Sequence, residues 1–246
     1  MFDHVTIRAS DRTASERFYD TVLIPLGIDP TFRAGRFSEW REFMLTGADE
    51  GNPVTQRLHI AFVAPSREQV DEFWSVGTEA GYANAGRPGP RRQYRSDYYG
   101  AFLLDPDGNS VEAVNHGALR RGGAIDHLWI RVADVAATKR FYETIAAPAG
   151  LRLADDTPER AQFAGAGGSF SLVRGTPSVN VHMAFPTRDD ADVQRFHEVA
   201  TAAGYRSNGP PGERPWYHPG YYAAYVLDPD GNDIEVVNHH RGQPPP

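Results

Sequence analysis

The chain has no cysteine, and Lys139 is the single lysine among its 25 basic residues. Lack of thiols excludes disulfides, thiolate zinc sites, iron–sulfur clusters and cysteine nucleophiles together. Any metal must therefore be held by imidazole and carboxylate. A long apolar run is also missing, since no stretch approaches the ~18 residues that a membrane-spanning helix needs. The opening residues Met1, Phe2, Asp3, His4 and Val5 lack the basic start and apolar run of a secretion signal and read as a strand. A cytoplasmic protein is the expectation. Basic clusters are absent too, and the net charge is −7. Nucleic acid and anionic membrane surfaces are poor partners for such a chain.

What is present is a repeat. The 246 residues carry 40% hydrophobic side chains, enough for a core, and 24 glycines with 19 prolines favour many tight turns. Phe2-Asp3-His4-Val5 returns as Ile125-Asp126-His127-Leu128, and Arg17-Phe18-Tyr19 returns as Arg140-Phe141-Tyr142. The segment from Tyr98 to Asn109 returns as Tyr221 to Asn232, again at an offset of 123 residues. Chance does not hold one offset over so many positions. The expected division is 1–118 and 124–240, with a linker over 117–124 and a disordered tail over 241–246.

Each half repeats an order of its own. A strand from Phe2 to Ala9 precedes a helix-period segment near Asp11 to Leu26 and turn-rich strand material to Leu45. A strand from Leu58 to Ala64 leads to a helix opened by Ser66 and Gln69 in the pattern of a capping box. Strands around Arg91 to Leu104 and Ser110 to Asn115 complete the half. The fold class is α+β, built from strand–helix–three-strand modules, two per half and four per chain. Asp105-Pro106-Asp107-Gly108-Asn109 is a hairpin turn on mechanism, proline setting φ and glycine supplying a positive φ.

Six of the nine histidines fall into repeat pairs: His4 with His127, His59 with His182, and His116 with His239. Glu112 and Glu235 form a matching pair. First and second histidines are 55 residues apart in both halves, and second histidine and glutamate 53. Strand alternation puts Val5, Ile7 and Ala9 on a helix-packed face and leaves His4, Thr6 and Arg8 on the other. The matching strand leaves His127, Trp129 and Arg131 there. His59 and Glu235 likewise oppose their apolar neighbours. If the sheet curls, two imidazoles and a carboxylate converge in a cup, a donor set suited to a divalent transition metal: iron(II) first, then manganese, nickel, cobalt or zinc. The natural grouping is by halves, with His127, His182 and Glu235 as primary ligands and His4, His59 and Glu112 as a second set. His116 and His239 lie roughly 13 Å further along the strand, too far to share the metal.

On these residues the chain resembles the vicinal oxygen chelate superfamily, which includes glyoxalase I, fosfomycin- and bleomycin-resistance proteins and extradiol dioxygenases. The resemblance covers the chain once per half and implies cup-shaped mixed sheets with a metal that binds two adjacent substrate oxygens. Glyoxalase I resembles a four-ligand version with a further carboxylate, for which Glu42 is the first-half candidate. The extradiol signature matches the second half through His218, Tyr225, Asp228-Pro229-Asp230-Gly231 and Glu235; the first half has Arg95 and Phe102 in the first two places. It implies that His218 is an acid/base and that Tyr225 hydrogen-bonds the chelated oxygens. Arg8, Arg131, Arg91 and Arg214, with Tyr94, Tyr217, Tyr98, Tyr221 and Trp129, are candidates to line the substrate pocket. A dioxygenase-like enzyme ranks first. A glyoxalase-type lyase or isomerase, or a drug-resistance transferase, ranks second, and a non-catalytic binder with an aromatic cup third. A monomer and a homodimer are equally compatible with the fusion.

Overall fold

A computed structural model describes residues 1–118 and 122–240. Part of the expected linker, 119–121, and the expected tail, 241–246, lie outside the described residues. Four modules follow one another in the expected order. The first holds β1 (His4–Ala9), α1 (Arg12–Leu23), β2 (Phe32–Ala34), β3 (Phe37–Trp40) and β4 (Phe43–Gly47). The second holds β5 (His59–Val63), α2 (Arg67–Glu79), β6 (Asn84–Pro90), β7 (Tyr99–Leu104) and β8 (Ser110–Asn115). In the second repeat come β9 (Ile125–Val132), α3 (Val135–Ile145), β10 (Arg152–Thr157), β11 (Arg160–Gly165) and β12 (Gly168–Arg174). The last module is β13 (His182–Thr187), α4 (Asp190–Ala202), β14 (Ser207–Glu213), β15 (Tyr222–Leu227) and β16 (Asp233–Asn238). No helix among the described residues is long and apolar enough to cross a membrane.

The modules form two eight-stranded mixed sheets, ordered β14-β15-β16-β13-β1-β4-β3-β2 and β10-β11-β12-β9-β5-β8-β7-β6. Each sheet therefore joins one module from each repeat. The seams are antiparallel pairings across the repeats: His4 opposite Ala184 and Thr6 opposite His182 in one sheet, His59 opposite Trp129 and Ala61 opposite His127 in the other. Sequence halves and structural cups do not coincide.

Helices pack on the convex faces. Asp11 and Asp134 open α1 and α3 by accepting the backbone N–H of Ala14 and Ala137 at 2.9 and 3.0 Å. Behind those caps, Phe18 and Tyr19, and in the repeat Phe141 and Tyr142, are fully buried in one continuous core. Ser66 caps α2 through Gln69 N–H, but the Gln69 amide donates to Pro25 O at 2.9 Å and does not reach back. Only half of the capping box forms, because the bond to Pro25 O turns the Gln69 side chain away from the Ser66 N–H that its oxygen would accept. A second difference lies at 91–98, expected as strand and found as a turn-rich loop between β6 and β7. The proline- and glycine-rich segment 84–90 is the strand. It sits at a sheet edge, where missing N–H groups cost no ladder bond.

The repeated turn does more than reverse the chain. Asn232, fully buried, accepts the Val181 N–H through Oδ1 and donates to Ser178 O and Asp228 Oδ2, all at 3.1 Å. Asn109 makes the same three contacts to Leu58, Thr55 and Asp105. The turn thus clamps the residue just before His182 and His59. Asn232→Ala leaves a buried N–H and a buried carbonyl without partners, and is expected to cost about 2–4 kcal/mol in urea denaturation.

Candidate metal centres

Two sets of imidazole and carboxylate groups converge in the described residues, each with donor atoms within 4.8 Å of one another: His4, His182 and Glu235, and His59, Glu112 and His127. The grouping by halves expected from the sequence is not what the structure brings together. Each set takes its first histidine from one repeat and its second histidine and glutamate from the other, because β1 pairs with β13 and β9 with β5.

In the first cup His4 Nε2 lies 3.0 Å from His182 Nε2 and 3.6 Å from Glu235 Oε2, with His182 Nε2 3.0 Å from that oxygen. In the second, Glu112 Oε2 is 3.1 Å from His59 Nε2 and 3.7 Å from His127 Nε2. Such spacings are what three ligands at ~2.1 Å from one ion require. The side chains of the two glutamates are only 1% exposed.

Hydrogen bonds behind the donors decide which atoms face inward. Asp3 Oδ1 and Asp126 Oδ2 accept from Nδ1 of His4 and His127 at 2.9 and 2.8 Å, and Asp233 Oδ2 accepts from Nδ1 of His182 at 2.9 Å. A proton on Nδ1 leaves the Nε2 lone pair for a metal. Tyr221 and Tyr98 donate to the rear oxygens of Glu235 and Glu112 at 2.6 and 2.8 Å. Both tyrosines, expected as pocket-lining rings, fix these glutamates through their hydroxyls. Burial and the adjacent glutamate push their hydroxyls well above the usual value, so they remain donors. Asp3 and Asp126 were visible beside His4 and His127 in the repeated tetrapeptide, but adjacency alone does not identify a partner.

The cups differ at single positions. Ser110 Oγ stands 2.9 Å from His59 Nδ1 where the other cup has Asp233. Burial works against the charged form of both second histidines and lowers His59. For His182 the hydrogen bonds to Asp233 and Glu235 overcome burial and hold it up at about 9. Thr6 occupies the position of Trp129, whose ring lies 5.5 Å from His59 and 6.3 Å from His127. Tyr94 meets Trp129 edge-on at 5.6 Å, so aromatic rings stand beside the donors of the second cup. The first opens as a cavity of 1580 Å³ lined by His4, Thr6, His182, Tyr225 and Glu235.

Other expected residues take varied places. Tyr225 lines the open cup opposite Glu235, its buried hydroxyl directed at that carboxylate. His218 engages both ring nitrogens, with Pro219 O and with His239 Nδ1 at 2.8 Å each. His239 Nε2 meets Asp3 Oδ2 at 2.8 Å, so a string runs His4–Asp3–His239–His218. On the other side His116 Nε2 lies 3.3 Å from Asp126 and its ring stacks on Tyr98. Arg91 and Arg214 each donate to a backbone carbonyl at 2.6 Å, Arg87 O and Pro210 O, and cover Phe102 and Tyr225. Arg8 and Arg131 reach Asn180 O and Arg57 O across the repeats at 3.3 and 3.0 Å. Glu42 lies next to His4 by register but accepts the Ala124 and Ile125 N–H groups at 2.6 and 2.8 Å, fastening the start of β9. Glu39 was not expected. It is a half-buried carboxylate on the cavity wall, raised by burial.

For His182 a raised value means that its protonated form stabilises the metal-free fold below pH 6.5 and that this is lost as pH rises through about 9. Metal-free protein is expected to lose about 2 kcal/mol between those limits. Asp233→Asn should lose much less, with urea denaturation at pH 6 and pH 9.5 as the measurement.

Comparison with known proteins places the fold in a family. The family model described as the Glyoxalase/Bleomycin resistance protein/Dioxygenase superfamily matches residues 1–113 and again 124–236. Among curated proteins no sequence matches. Glyoxalase I from Zea mays superposes with a TM-score of 0.71 at 18% identity, covering 97% of this chain and 92% of that one. A putative dioxygenase from Bacillus subtilis superposes with a TM-score of 0.62 at 15% identity, over 98% of this chain and 86% of its own. At such identities the likeness is one of fold. With both repeats matched by the family model, the chain belongs to the glyoxalase/bleomycin resistance protein/dioxygenase superfamily.

Proposed function

We propose that the chain is a metal-dependent enzyme acting on a small molecule with two adjacent oxygens, that its reaction site is the open cup at His4, His182 and Glu235, and that its chemistry is dioxygenase-like. The carrying observation is the pair of Nε2 atoms and one carboxylate oxygen at 3.0–3.6 Å in that cup, each imidazole held from behind by a carboxylate. A two-histidine, one-carboxylate set with open positions suits iron(II), with manganese, nickel, cobalt or zinc as alternatives. Bound there, the metal would serve as Lewis acid toward the vicinal oxygens and as a centre for dioxygen chemistry.

The protein's own groups have separable tasks. Tyr225 presents a buried hydroxyl beside Glu235; burial and that carboxylate push it far above its usual pKa, so it stays a donor and donates a hydrogen bond to a ligand oxygen. Glu235 is kept in one orientation by Tyr221. His218 acts on the site through His239 and Asp3, at Nδ1 of His4, because both of its own nitrogens are engaged. The His59–Glu112–His127 set is a second metal site with Trp129 occupying its substrate side.

Against a four-ligand glyoxalase arrangement stands the engagement of Glu42 with backbone N–H groups, and Ser169 opposite His127. One observation favours a lyase or isomerase as the second reading. Glu39 faces the open cup with a carboxylate that burial has made more basic, suited to taking a proton from a chelated substrate.

Protein prepared without added metal is expected to carry up to two iron equivalents and to consume oxygen with catechols. His182→Ala and His4→Ala are expected to abolish uptake, and Tyr225→Phe to lower it ~10- to 1,000-fold with the metal retained. His127→Ala is expected to leave most of it. Metal-free protein that binds catechols equally well as His182→Ala would overturn the reading. Oxygen-independent turnover lost in Glu39→Gln would select the lyase alternative.

A further inference from the structure

The open cup is larger than a small chelated molecule needs. Its cavity measures 1580 Å³, against roughly 300–1,000 Å³ for pockets that take drug-sized ligands. A single-ring diol at the ligand set would leave most of that space to water. The mouth is apolar on the two sides that face each other. Phe32 and Phe37 flank the hairpin of β2 and β3, while Trp216 and Tyr217 stand on the loop between β14 and β15. Trp216 is 69% exposed, Phe32 47% and Tyr217 44%. All four rings line the cavity.

Three of these rings, Tyr217, Trp216 and Phe37, connect to the ligand set by contact. Tyr221, bonded to Glu235, lies 4.8 Å from Tyr217 between ring centres. Tyr217 in turn lies 6.1 Å from Trp216 and 6.5 Å from Phe37 across the mouth. Arg214 spans 5.8 Å to Trp216 and 5.5 Å to Tyr225, tying the rim ring to the cup floor. The other cup begins the same path, since Tyr98, bonded to Glu112, lies 5.3 Å from Tyr94, which is as exposed as Tyr217 at 44%. There the path stops one ring earlier, because Gln93 stands in the place of Trp216. The outermost ring belongs to the open cup alone.

We infer that Trp216, Tyr217, Phe37 and Phe32 form a distal subsite, and that the substrate is an elongated planar molecule whose vicinal oxygens meet the ligand set while a distal ring stacks at the rim. The inference rests on the chelation reading of the same cup. Tyr221, Tyr217 and Phe37 contact one another in tilted pairs at 4.8–6.5 Å between centres, and the ring surface they present with exposed Trp216 is one on which a further aromatic ring gains attraction beyond simple burial. Trp216 is then the residue that sets specificity for length, without touching the reacting oxygens.

The test uses zinc-loaded protein, in which redox turnover is silent, and three diols: catechol, 2,3-dihydroxynaphthalene and 1,2-dihydroxyanthraquinone. Equilibrium dialysis is expected to show affinity rising about tenfold or more from one ring to three. Trp216→Ala, at an exposed position, is expected to bind catechol unchanged and to lose most of the gain for the three-ring diol, with Trp216→Phe restoring part of it. Affinity independent of ring number, or a gain that survives intact in Trp216→Ala, overturns the distal subsite. The His182→Ala arm keeps the two readings apart: diols that bind it as they bind the parent protein overturn chelation, whatever Trp216 does.

Discussion

The antiparallel seam between repeats is the constraint on which the rest of this molecule depends. Where β1 runs beside β13, and β5 beside β9, backbone hydrogen bonds set two cup floors in register. A slip of one residue at either seam would turn His4 or His127 from the cup to the helix-packed side, since strand side chains alternate faces. The asparagines of the two hairpin turns reinforce the register by clamping the backbone at Leu58 and Val181. Position is thus imposed on the ligands from two directions: across the sheet by strand pairing and along it by the turn.

Given that frame, small substitutions distinguish two cups of common design. Asp233 against Ser110 alters the electrostatics of the second histidine, raising one imidazole and lowering the other. Thr6 against Trp129 changes the space beside the ligands by the volume of an indole. Phe102 against Tyr225, and Arg95 against His218, remove from the second cup a hydroxyl and a hydrogen-bonded ring that the first keeps. All these differences favour the same cup, and none disturbs the shared scaffold of carboxylate-backed histidines and tyrosine-backed glutamate.

Much of this was legible in the residues. The constant offset revealed the duplication, and period-two alternation placed His4, His59, Glu112 and their repeats on one face of their strands. The grouping was not legible. In a chain with a true repeat, His4 can be completed by His59 and Glu112 or by His182 and Glu235 with equal regularity, and only long-range pairing chooses between them. Edge strand 84–90 was hidden by its prolines, which an interior strand would not tolerate. Tyr98 and Tyr221 were recognised as important for a stacking role, yet their hydroxyls matter more than their rings, because fourteen residues of hairpin return each to its glutamate. Glu39 escaped notice for want of a repeat partner.

Crossed ownership of the ligands has an evolutionary consequence. Neither repeat contains a whole site, so a lone repeat must pair with a copy of itself, and two-fold symmetry then makes both resulting sites identical. Any ring that closes one closes the other. Joining the repeats in one chain releases that bond of likeness: threonine at position 6 and tryptophan at position 129 need no longer be the same residue. Covalent fusion here is permission for the two cups to differ while they keep a common framework.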